Sequence, residues 1–490
     1  MFDMKRLFPL LLPLFFLAAY SFAGDLPDPG GDPSQVALSP QQERQIGEQG
    51  MIEIRADKSY MDDSEVNDYL NWLGGRLVAN SSEPGLDFEF FALNDHAINA
   101  FAMPGGFVGV NSGLILTAET ESELASVLAH EVSHVTQHHL ARMMSSEKYD
   151  SIATMAAVAI AILAARNSPN AAPAAIAAPG AALQRQLTFT REHEQEADRI
   201  GLTTLQKAGF DTHAMPIFFE RMQRETRLLD YNAPSWLLTH PVTSDRIADI
   251  DNRVRQIPFH PVPDSLEFQL VRSKLRVLDK TPQEAIAYFT DALSGPRKYG
   301  NPVAQRYGLT LALLRSGNLP RARQELELLL KQPRGHDNPD NDKPGDDPMI
   351  QTLAGRIYRA EGMSHAKLAE FYRAAVQAHP LHRALAYDYA EVLIEGRQYD
   401  EALKLLDARI TTHPNDVRLY ELQARTYAAL DKPQEEHHAL AYARISNGDL
   451  RGAIEQLELA KQSGSNYYQL AVIDNELKEF REVAAAHGKK

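Results

Sequence analysis

Residues 130–134 have the sequence HExxH and lie within a segment of helical periodicity. Upstream, Thr120 and Glu123 form the S/T-x-x-E pattern of a capping box, which predicts that a helix begins there. On one face of such a helix the two histidines can each give a ring nitrogen to one Zn²⁺, and Glu131 can take a proton from the bound water. Apolar residues continue the helical spacing through the motif: Leu124, Val127, Leu128, Val132 and Val135.

HExxH alone is a weak signal, because the pattern also occurs by chance in unrelated helices. A zinc protease with the ligands His130 and His134 needs one more protein ligand and an open position for water. Residues 191–209 have the pattern of a second helix that ends at a glycine, and Glu194 is the expected third ligand. Asp198, one turn later on the same face, can accept the spare ring N–H of a zinc histidine and fix its tautomer.

Other polar residues near these motifs are weaker candidates. Glu196 competes for the ligand role, but no acidic residue follows it four positions later, so we expect it to be solvated or salt-bridged. His138 and His139 come soon after the HExxH helix. His138 would lie too far along the axis to bind the same metal, and both are expected to be exposed or to act from outside the coordination sphere.

The chain resembles the HtpX and CAAX-prenyl-protease type of zinc metallopeptidase. The resemblance covers nearly the whole chain after its first residues, with motifs that are specific in the catalytic half and generic in the repeat half. The motifs that carry it are His130–His134, Glu194-x-x-Ala197-Asp198, Asn99–Gly106 with Val110–Gly113, and Thr239-His240-Pro241 with Arg246.

The His-Pro…Arg segment gains importance from this resemblance. On sequence alone, a histidine before proline in a loop is usually a surface residue. Within the family pattern, His240 could stabilise the oxyanion of the tetrahedral intermediate, or occupy the fourth zinc position and hold the enzyme latent. Arg246 is a second candidate for oxyanion stabilisation, or for anchoring the loop. Replacing His240 should raise proteolysis in the gating case and lower it in the other.

A predicted strand pair precedes the HExxH helix. Phe88–Leu93 has the composition of a strand, and Pro104-Gly105-Gly106 predicts a turn between two further extended segments. An open strand edge near the metal can pair with an extended peptide and deliver its scissile carbonyl. We assign this substrate-binding role to Asn99, Ala100, Phe101 and Ala102, with an ordinary core hairpin as the alternative.

The N-terminus predicts export. Lys5 and Arg6 precede an apolar run that is short and interrupted by prolines, and Ser21-Phe22-Ala23 gives a small-x-small cleavage site. This pattern indicates a signal peptide cut after Ala23 rather than a membrane anchor. A flexible lead-in is expected over residues 24–40, with a helix starting at Ser39 and Pro40. Together with the resemblance, this predicts the periplasm.

Composition excludes several classes of protein. The chain has 490 residues, a formal charge of −15 and no cysteine. The negative charge argues against a nucleic-acid partner. The lack of cysteine excludes disulfides, thiol catalysis and a lipid-modified N-terminal cysteine. At 44% hydrophobic and 23% charged residues, the chain has the composition of an ordinary globular protein with, at most, peripheral membrane contact.

Two segments and a repeat pattern complete the chain. Residues 151–182 begin with an apolar part, Ile152–Ala165, that is too short to span a bilayer comfortably, and then become alanine- and proline-rich. The segment fits either a lid or membrane-facing contact or a buried helix with a loop. From about Leu266 the pattern is of paired helices, and Pro380 and Pro414 stand one tetratricopeptide period of about 34 residues apart. Residues 333–348 predict a solvated loop, since their acidic spacing does not match a calcium-binding EF-hand.

These patterns predict a mainly α protein: a zincin-like α+β metalloprotease domain with a small sheet, then an α-α superhelical tetratricopeptide array. The expected boundaries are 1–23, 24–40, 41–262 and 263–490. The resemblance implies one Zn²⁺ per chain, and a periplasmic endopeptidase that degrades misfolded or stalled outer-membrane β-barrel proteins and assists their assembly. The alternative is a chaperone or scaffold that acts through its repeats with a largely latent protease. An exopeptidase is a third hypothesis that sequence does not test.

Overall fold

The computed structural model describes residues 39–145, 190–228, 236–237, 240–294, 300–332, 344–464 and 466–487. The predicted signal peptide, nearly all of the lead-in and the segment 151–182 lie outside the described residues, as does most of the polar insert at 333–348. Among the residues that are described, no helix has both the length and the apolar character that crossing a bilayer requires.

The N-terminal half packs helices around a small sheet. Its strands are β1 (Glu89–Leu93), β2 (Ala100–Met103) and β3 (Phe107–Asn111). Its helices are α1 (Pro40–Ala56), α2 (Ser64–Val78), α3 (Ser112–Thr117), α4 (Glu121–Thr136), α5 (His139–Ser145), α6 (Arg191–Lys207), α7 (Ala214–Leu228) and α8 (Ser244–Val254).

Within the described residues, the sheet has three strands in the order β1-β3-β2, which places β2 at an edge. β2 pairs antiparallel with β3, and β1 pairs parallel with β3. The predicted turn before β3 is a short 3-10 segment in which Gly105 and Gly106 have φ of 74° and 87°, values that favour glycine. A Cβ at residue 106 would also lie 2.1 Å from the carbonyl oxygen of Asp87. The predicted strand pair is therefore confirmed.

The two faces of the sheet are covered by different helices. Alternate residues such as Phe90 and Ala100 pack into the main core with α2 and α4. The other face, with Phe91 and Phe101, packs against Met51 of α1. This alternation follows from the period of two along a strand. The sheet is buried on both sides, and it holds β2 beside the helix that carries the HExxH motif.

Local signals in the sequence set the helix ends. Ser39 makes the complete capping box of α1, and Gly209, with φ of 78°, follows the end of α6. At α4, Thr120 accepts the amide N–H of Glu123 as expected. The reciprocal half of that capping box is missing, because the Glu123 carboxylate accepts from the Glu119 amide and pairs with Arg221 instead.

The C-terminal half is a row of paired helices, as the repeat pattern predicts. Small residues let these helices approach: a Cβ at Gly308 would lie 2.4 Å from the ring of Phe289, and one at Gly355 would lie 2.3 Å from the Tyr372 hydroxyl. The helices are α9 (Leu266–Asp279), α10 (Pro282–Ser294), α11 (Pro302–Arg315), α12 (Leu319–Lys331), α13 (Pro348–Ala360), α14 (His365–Ala378), α15 (Arg383–Glu395), α16 (Tyr399–Thr412), α17 (Val417–Ala429), α18 (Pro433–Ser446), α19 (Leu450–Ser463) and α20 (Tyr467–His487).

The repeat half returns to the N-terminal half at several points along its length. Lys274 of α9 lies 2.5 Å from the Glu65 carboxylate, and both side chains are buried. Arg383 of α15 pairs with Asp68 at 2.6 Å. Further on, a guanidinium nitrogen of Arg55 donates to the carbonyl of Ser446 at 3.3 Å. The repeats therefore lie along the outside of α1 and α2.

Candidate metal centre

Four buried side chains bring ligand atoms to one point: His130, His134, Glu194 and His240. The two Nε2 atoms of the HExxH histidines lie 3.0 Å apart. Glu194 places its oxygens 3.5 Å from His130 and 3.4 Å from His134. Nδ1 of His240 lies 2.8 Å from the Glu194 carboxylate and 3.3 Å from His130.

The local folds of three segments bring these atoms together. His130 and His134 lie one turn apart on α4, and Glu194 lies in the first turn of α6, which packs directly on α4. Gly201 permits that close packing: a Cβ there would come within 3.1 Å of the carbonyl oxygen of Ala129. The amide N–H of His240 donates to the carbonyl of Trp236 at 2.8 Å, which is a hydrogen bond with the spacing of a helical turn.

The arrangement fits a metal ion. Zn²⁺ with tetrahedral bonds of about 2.0–2.1 Å has ligand atoms about 3.4 Å from one another. The distances given above between ligand atoms of the four side chains, 2.8–3.5 Å, are close to that spacing. Two imidazoles and a carboxylate are also a donor set that zinc proteases use. The cluster can therefore hold a metal ion.

Asp198 lies where the sequence predicts, behind the first histidine. Its carboxylate is 3.0 Å from Nδ1 of His130. Arg246 holds this carboxylate with two nitrogens, at 2.7 and 2.8 Å, and lies 2.7 Å from Glu194. Arg246 also donates to the carbonyl of Pro241. This buried guanidinium neutralises two carboxylates and secures the loop, contacts that agree with the anchoring alternative rather than with oxyanion stabilisation.

Burial and hydrogen bonding set opposite proton affinities at the two helical histidines. Burial opposes protonation of His130, but its hydrogen bonds to Asp198 and Glu194 raise its pKa to about 9. Burial lowers the pKa of His134 well below its usual value. Burial alone would raise the pKa of Glu194, but His240 and the two histidines hold it well below its usual value. A metal ion at this point would bind an ionised carboxylate.

Trp236 is a site residue that sequence reasoning missed. Its indole Nε1 donates to the Glu131 carboxylate at 3.0 Å, and its ring stacks on His240 with centroids 5.3 Å apart. Only 1% of Trp236 is exposed. Its amide N–H donates to the carbonyl of Ile98, just before β2. No local pattern marks this residue, because its partners come from α4 and from the start of the edge strand.

His139 and Glu196 also reach the site. His139 is fully buried, and its Nδ1 lies 2.9 Å from Nδ1 of His134. Its Nε2 lies 3.0 Å from Glu196, which also pairs with Arg142. His139 thus belongs among the residues that contact a ligand from behind. His138 is half-buried and faces the other way, with Nδ1 3.1 Å from Glu43.

The predicted substrate strand lies beside the cluster but is more buried than a free peptide edge. Asn99, Ala100 and Phe101 are buried, and Ala102 is partly exposed. Within the described part of the chain, neither polar atom of the Asn99 side chain has a hydrogen-bond partner. A small cavity of about 20 Å³ is lined by Ala102 of β2, by His134 of the donor cluster, and by His138 and Glu43. The cavity therefore touches both the predicted substrate strand and the donor cluster.

Comparison with known proteins places the site within a family. Residues 64–254 match the model of peptidase family M48, and residues 369–426 match a tetratricopeptide repeat. A protein of Vibrio cholerae is 36% identical over 84% of this chain and 83% of its own length. The beta-barrel assembly-enhancing protease of Yersinia pestis is 33% identical over 88% of this chain and 86% of its own.

A further relative matches a smaller share of the chain. The mitochondrial metalloendopeptidase OMA1 of Schizosaccharomyces pombe is 31% identical over 37% of this chain and 51% of its own length. The M48 match contains the HExxH helix, Glu194 and His240, so the similarity includes every donor of the cluster. The chain belongs to peptidase family M48, as a metalloprotease with C-terminal tetratricopeptide repeats.

Proposed function

We propose that this chain is a zinc endopeptidase whose metal is held by His130, His134 and Glu194. The observation that carries the proposal is the meeting of these side chains, from two helices, with donor atoms at most 3.5 Å apart. Bound there, Zn²⁺ would act as a Lewis acid and lower the pKa of a bound water molecule to about 7. Asp198 would orient His130 through its ring N–H.

Glu131 is the proposed general base. It follows the first ligand on α4 and is buried, with one carboxylate oxygen 3.6 Å from His240. In the reaction its carboxylate accepts the proton of the attacking water and passes it to the leaving amine. Among the described strands β2 lies at the edge of the sheet, and a peptide paired with it in extended form would bring its carbonyl to the same place. Of the four residues assigned to substrate binding, Ala102 is the one that is partly exposed.

We propose that His240 gates the metal rather than stabilising the transition state. Its Nδ1 lies among the donor atoms, so that with a metal bound it would take the position that a catalytic zinc site leaves for water. Trp236 acts with it, because the same segment hydrogen-bonds the Glu131 carboxylate. With a metal bound, His240 would hold its fourth position while Trp236 engages the base, so substrate would have to displace these two side chains.

The relatives and the N-terminal sequence support a proposal for the biological setting. A relative named beta-barrel assembly-enhancing protease aligns over 88% of this chain, and the predicted signal peptide fits export. We infer a periplasmic enzyme that degrades misfolded or stalled outer-membrane β-barrel proteins and assists their assembly. The repeats would select these substrates or dock on their assembly machinery. The proposed domains meet between residues 262 and 263, in the irregular stretch between α8 and α9.

A second candidate function has its own support. The place of His240 among the donor atoms and the contacts of the repeats with α1 and α2 support a chaperone or scaffold with a largely latent protease.

The substitution Glu131→Gln separates the two functions, because glutamine cannot act as a base but Glu131 is not a proposed ligand. We expect the variant to fold and to bind one zinc, while casein cleavage falls by about 10²–10⁴-fold. Zinc content and cleavage are measured together, with His240→Ala as the comparison. Loss of β-barrel assembly support in cells would assign that role to catalysis, and its survival would assign it to binding. Normal cleavage by Glu131→Gln would refute the proposed mechanism.

A further inference from the structure

The two helical histidines of the metal centre have different side chains behind them. His130 is backed by the carboxylate of Asp198, the arrangement that zinc histidines commonly have. Nδ1 of His134 instead faces Nδ1 of His139 at 2.9 Å. His139 is fully buried, so this contact is shielded from water. A second imidazole behind a metal ligand calls for its own explanation.

The contact between two Nδ1 atoms fixes where protons lie. A separation of 2.9 Å is a hydrogen bond, so one nitrogen carries a proton and the other presents a lone pair. If His139 were the donor, Nδ1 of His134 would be bare and Nε2 of His134 would carry the proton. That proton would point into the donor cluster, 3.0 Å from Nε2 of His130, and would prevent coordination.

Glu196 removes this ambiguity. Its carboxylate lies 3.0 Å from Nε2 of His139, and a carboxylate accepts hydrogen bonds, so the proton of His139 is held on Nε2. Nδ1 of His139 is then the acceptor, and His134 must donate from its own Nδ1. Arg142, 3.1 Å from the same carboxylate oxygen, keeps Glu196 ionised and in place. The ring of His193 stacks on His139 with centroids 4.5 Å apart, which limits rotation of the imidazole.

We propose that Glu196 and His139 are positioning residues that prepare His134 to bind the metal. Glu196 orients His139, His139 orients His134, and the lone pair of His134 Nε2 is left aimed at the ion. The inference rests on the proposed function, in that His134 is taken as a zinc ligand. It assigns a role to two residues that the HExxH pattern itself does not include.

Zinc affinity, measured by competition with a chromogenic chelator, tests the proposal on the full chain. We expect His139→Phe to weaken zinc binding by about 10–100-fold, the usual effect of losing such a partner. His139→Asn should recover most of that loss, because the asparagine side-chain oxygen lies where Nδ1 lies in histidine and can accept from His134. Glu196→Gln should weaken binding by a smaller factor. Glu192→Gln, an exposed glutamate on the same helix, is the matched control and should leave affinity unchanged.

The tautomers provide a readout that a purely structural role would not move. In long-range ¹H–¹⁵N spectra of the zinc-loaded protein, His134 should carry its proton on Nδ1 and His139 on Nε2. His139 protonated on Nδ1, or on both nitrogens, overturns the proposal, as does unchanged zinc affinity of the His139→Phe variant. If that variant does not fold, Glu196→Gln and the spectra of the unmodified protein still decide. Wild-type protein that binds no zinc would refute the proposed function itself, and this inference with it.

Discussion

At the residue scale, the hydrogen bond between Trp236 and Glu131 should control how easily the site opens. Trp236→Phe removes the indole N–H but keeps an aromatic ring against His240. A hydrogen bond to a charged group contributes about 1.5–3 kcal/mol, so the closed segment should be weakened and zinc-dependent casein cleavage should rise roughly tenfold or more. The same substitution made in His240→Ala protein should add little, because the segment is already released there.

Rates for the two single variants and the double variant form a cycle that checks this prediction. A fall in kcat for Trp236→Phe, with or without His240, would show that the indole supports the base rather than restrains it. Trp72→Phe is the control, since Trp72 is 47% exposed and lies on α2, and the chain has only these 2 tryptophans.

The residues of the site were predictable where a suitable side-chain chemistry occurs at helical spacing. His130, His134 and Glu194 are brought together by the structure as their spacing indicates, and Asp198 lies behind His130. Trp236 could not be found in this way, because its partner lies 105 residues away and indole rings have no ligand pattern. The same limit applies to His139 and Glu196, whose contact depends on how α5 meets α6.

At the scale of elements, the packing of α4 on α6 holds the third ligand against the first. Gly201→Ala would place a methyl group 3.1–3.2 Å from backbone atoms of Ala129 and His130, which cannot rotate away. We expect this overpacking to destabilise the protein by about 1–3 kcal/mol and to weaken zinc binding by shifting Glu194.

Denaturant unfolding and chelator competition measure the two effects. Gly75→Ala is a matched control, because Gly75 is a helical glycine at which an added Cβ would meet no atom within 4 Å. That substitution should stabilise the protein by roughly 0.5–1 kcal/mol. Unchanged zinc affinity in Gly201→Ala would show that the contact between the helices does not set the ligand geometry.

The elements themselves were largely predictable from local signals. Ser39 and Gly209 mark helix ends by hydrogen bonding and by positive φ, which depend on neighbours in the sequence. The strand order was not predictable. β1 pairs parallel with β3 rather than with its neighbour β2, and that choice depends on how α1 and α2 cover the two faces.

At the scale of the whole molecule, buried ion pairs join the repeats to the N-terminal half. Lys274 lies 2.5 Å from Glu65 and 2.6 Å from Asp63, with 6% of Lys274 and 4% of Glu65 exposed. Lys274→Met should destabilise the protein by about 3–5 kcal/mol, because it leaves a buried carboxylate uncompensated. Arg451→Ala breaks an exposed pair with Glu455 and should cost at most about 0.5 kcal/mol. Equal losses in urea unfolding would contradict this account.

The same region predicts how stability depends on pH. Burial lowers the pKa of His382 below 6.5, so the folded state favours its neutral form and stability falls as the pH drops below 6.5. Although burial alone would raise the pKa of Glu65, Lys274 and His382 lower it below 4.5, so a further loss begins there. Burial opposes the charge on Lys274, but Glu65 and Asp63 raise its pKa above 10.5, so stability is also lost above that pH.

Thermal unfolding across this range checks the prediction, with His382→Gln as the test variant. Between pH 7 and 5 the wild type should lose stability and the variant should lose less. A wild-type thermal unfolding midpoint that stays constant between pH 7 and 5 would contradict the role assigned to His382.

The period of the repeats was predictable from Pro380 and Pro414. The contacts of the repeats with α1 and α2 were not, because they depend on the curvature of the array, which a single sequence does not encode locally.

We propose that His130, His134 and Glu194, from two helices, hold one catalytic zinc and that His240 can take the fourth position. Anomalous diffraction at the zinc edge, from crystals of zinc-loaded protein, would locate the ion among these side chains. We expect one ion bonded at about 2.0–2.1 Å to Nε2 of His130, Nε2 of His134 and the Glu194 carboxylate, with Nδ1 of His240 or water completing the tetrahedron. An ion bound elsewhere, or a Glu194 carboxylate directed away from it, would show that these three side chains do not form the zinc site.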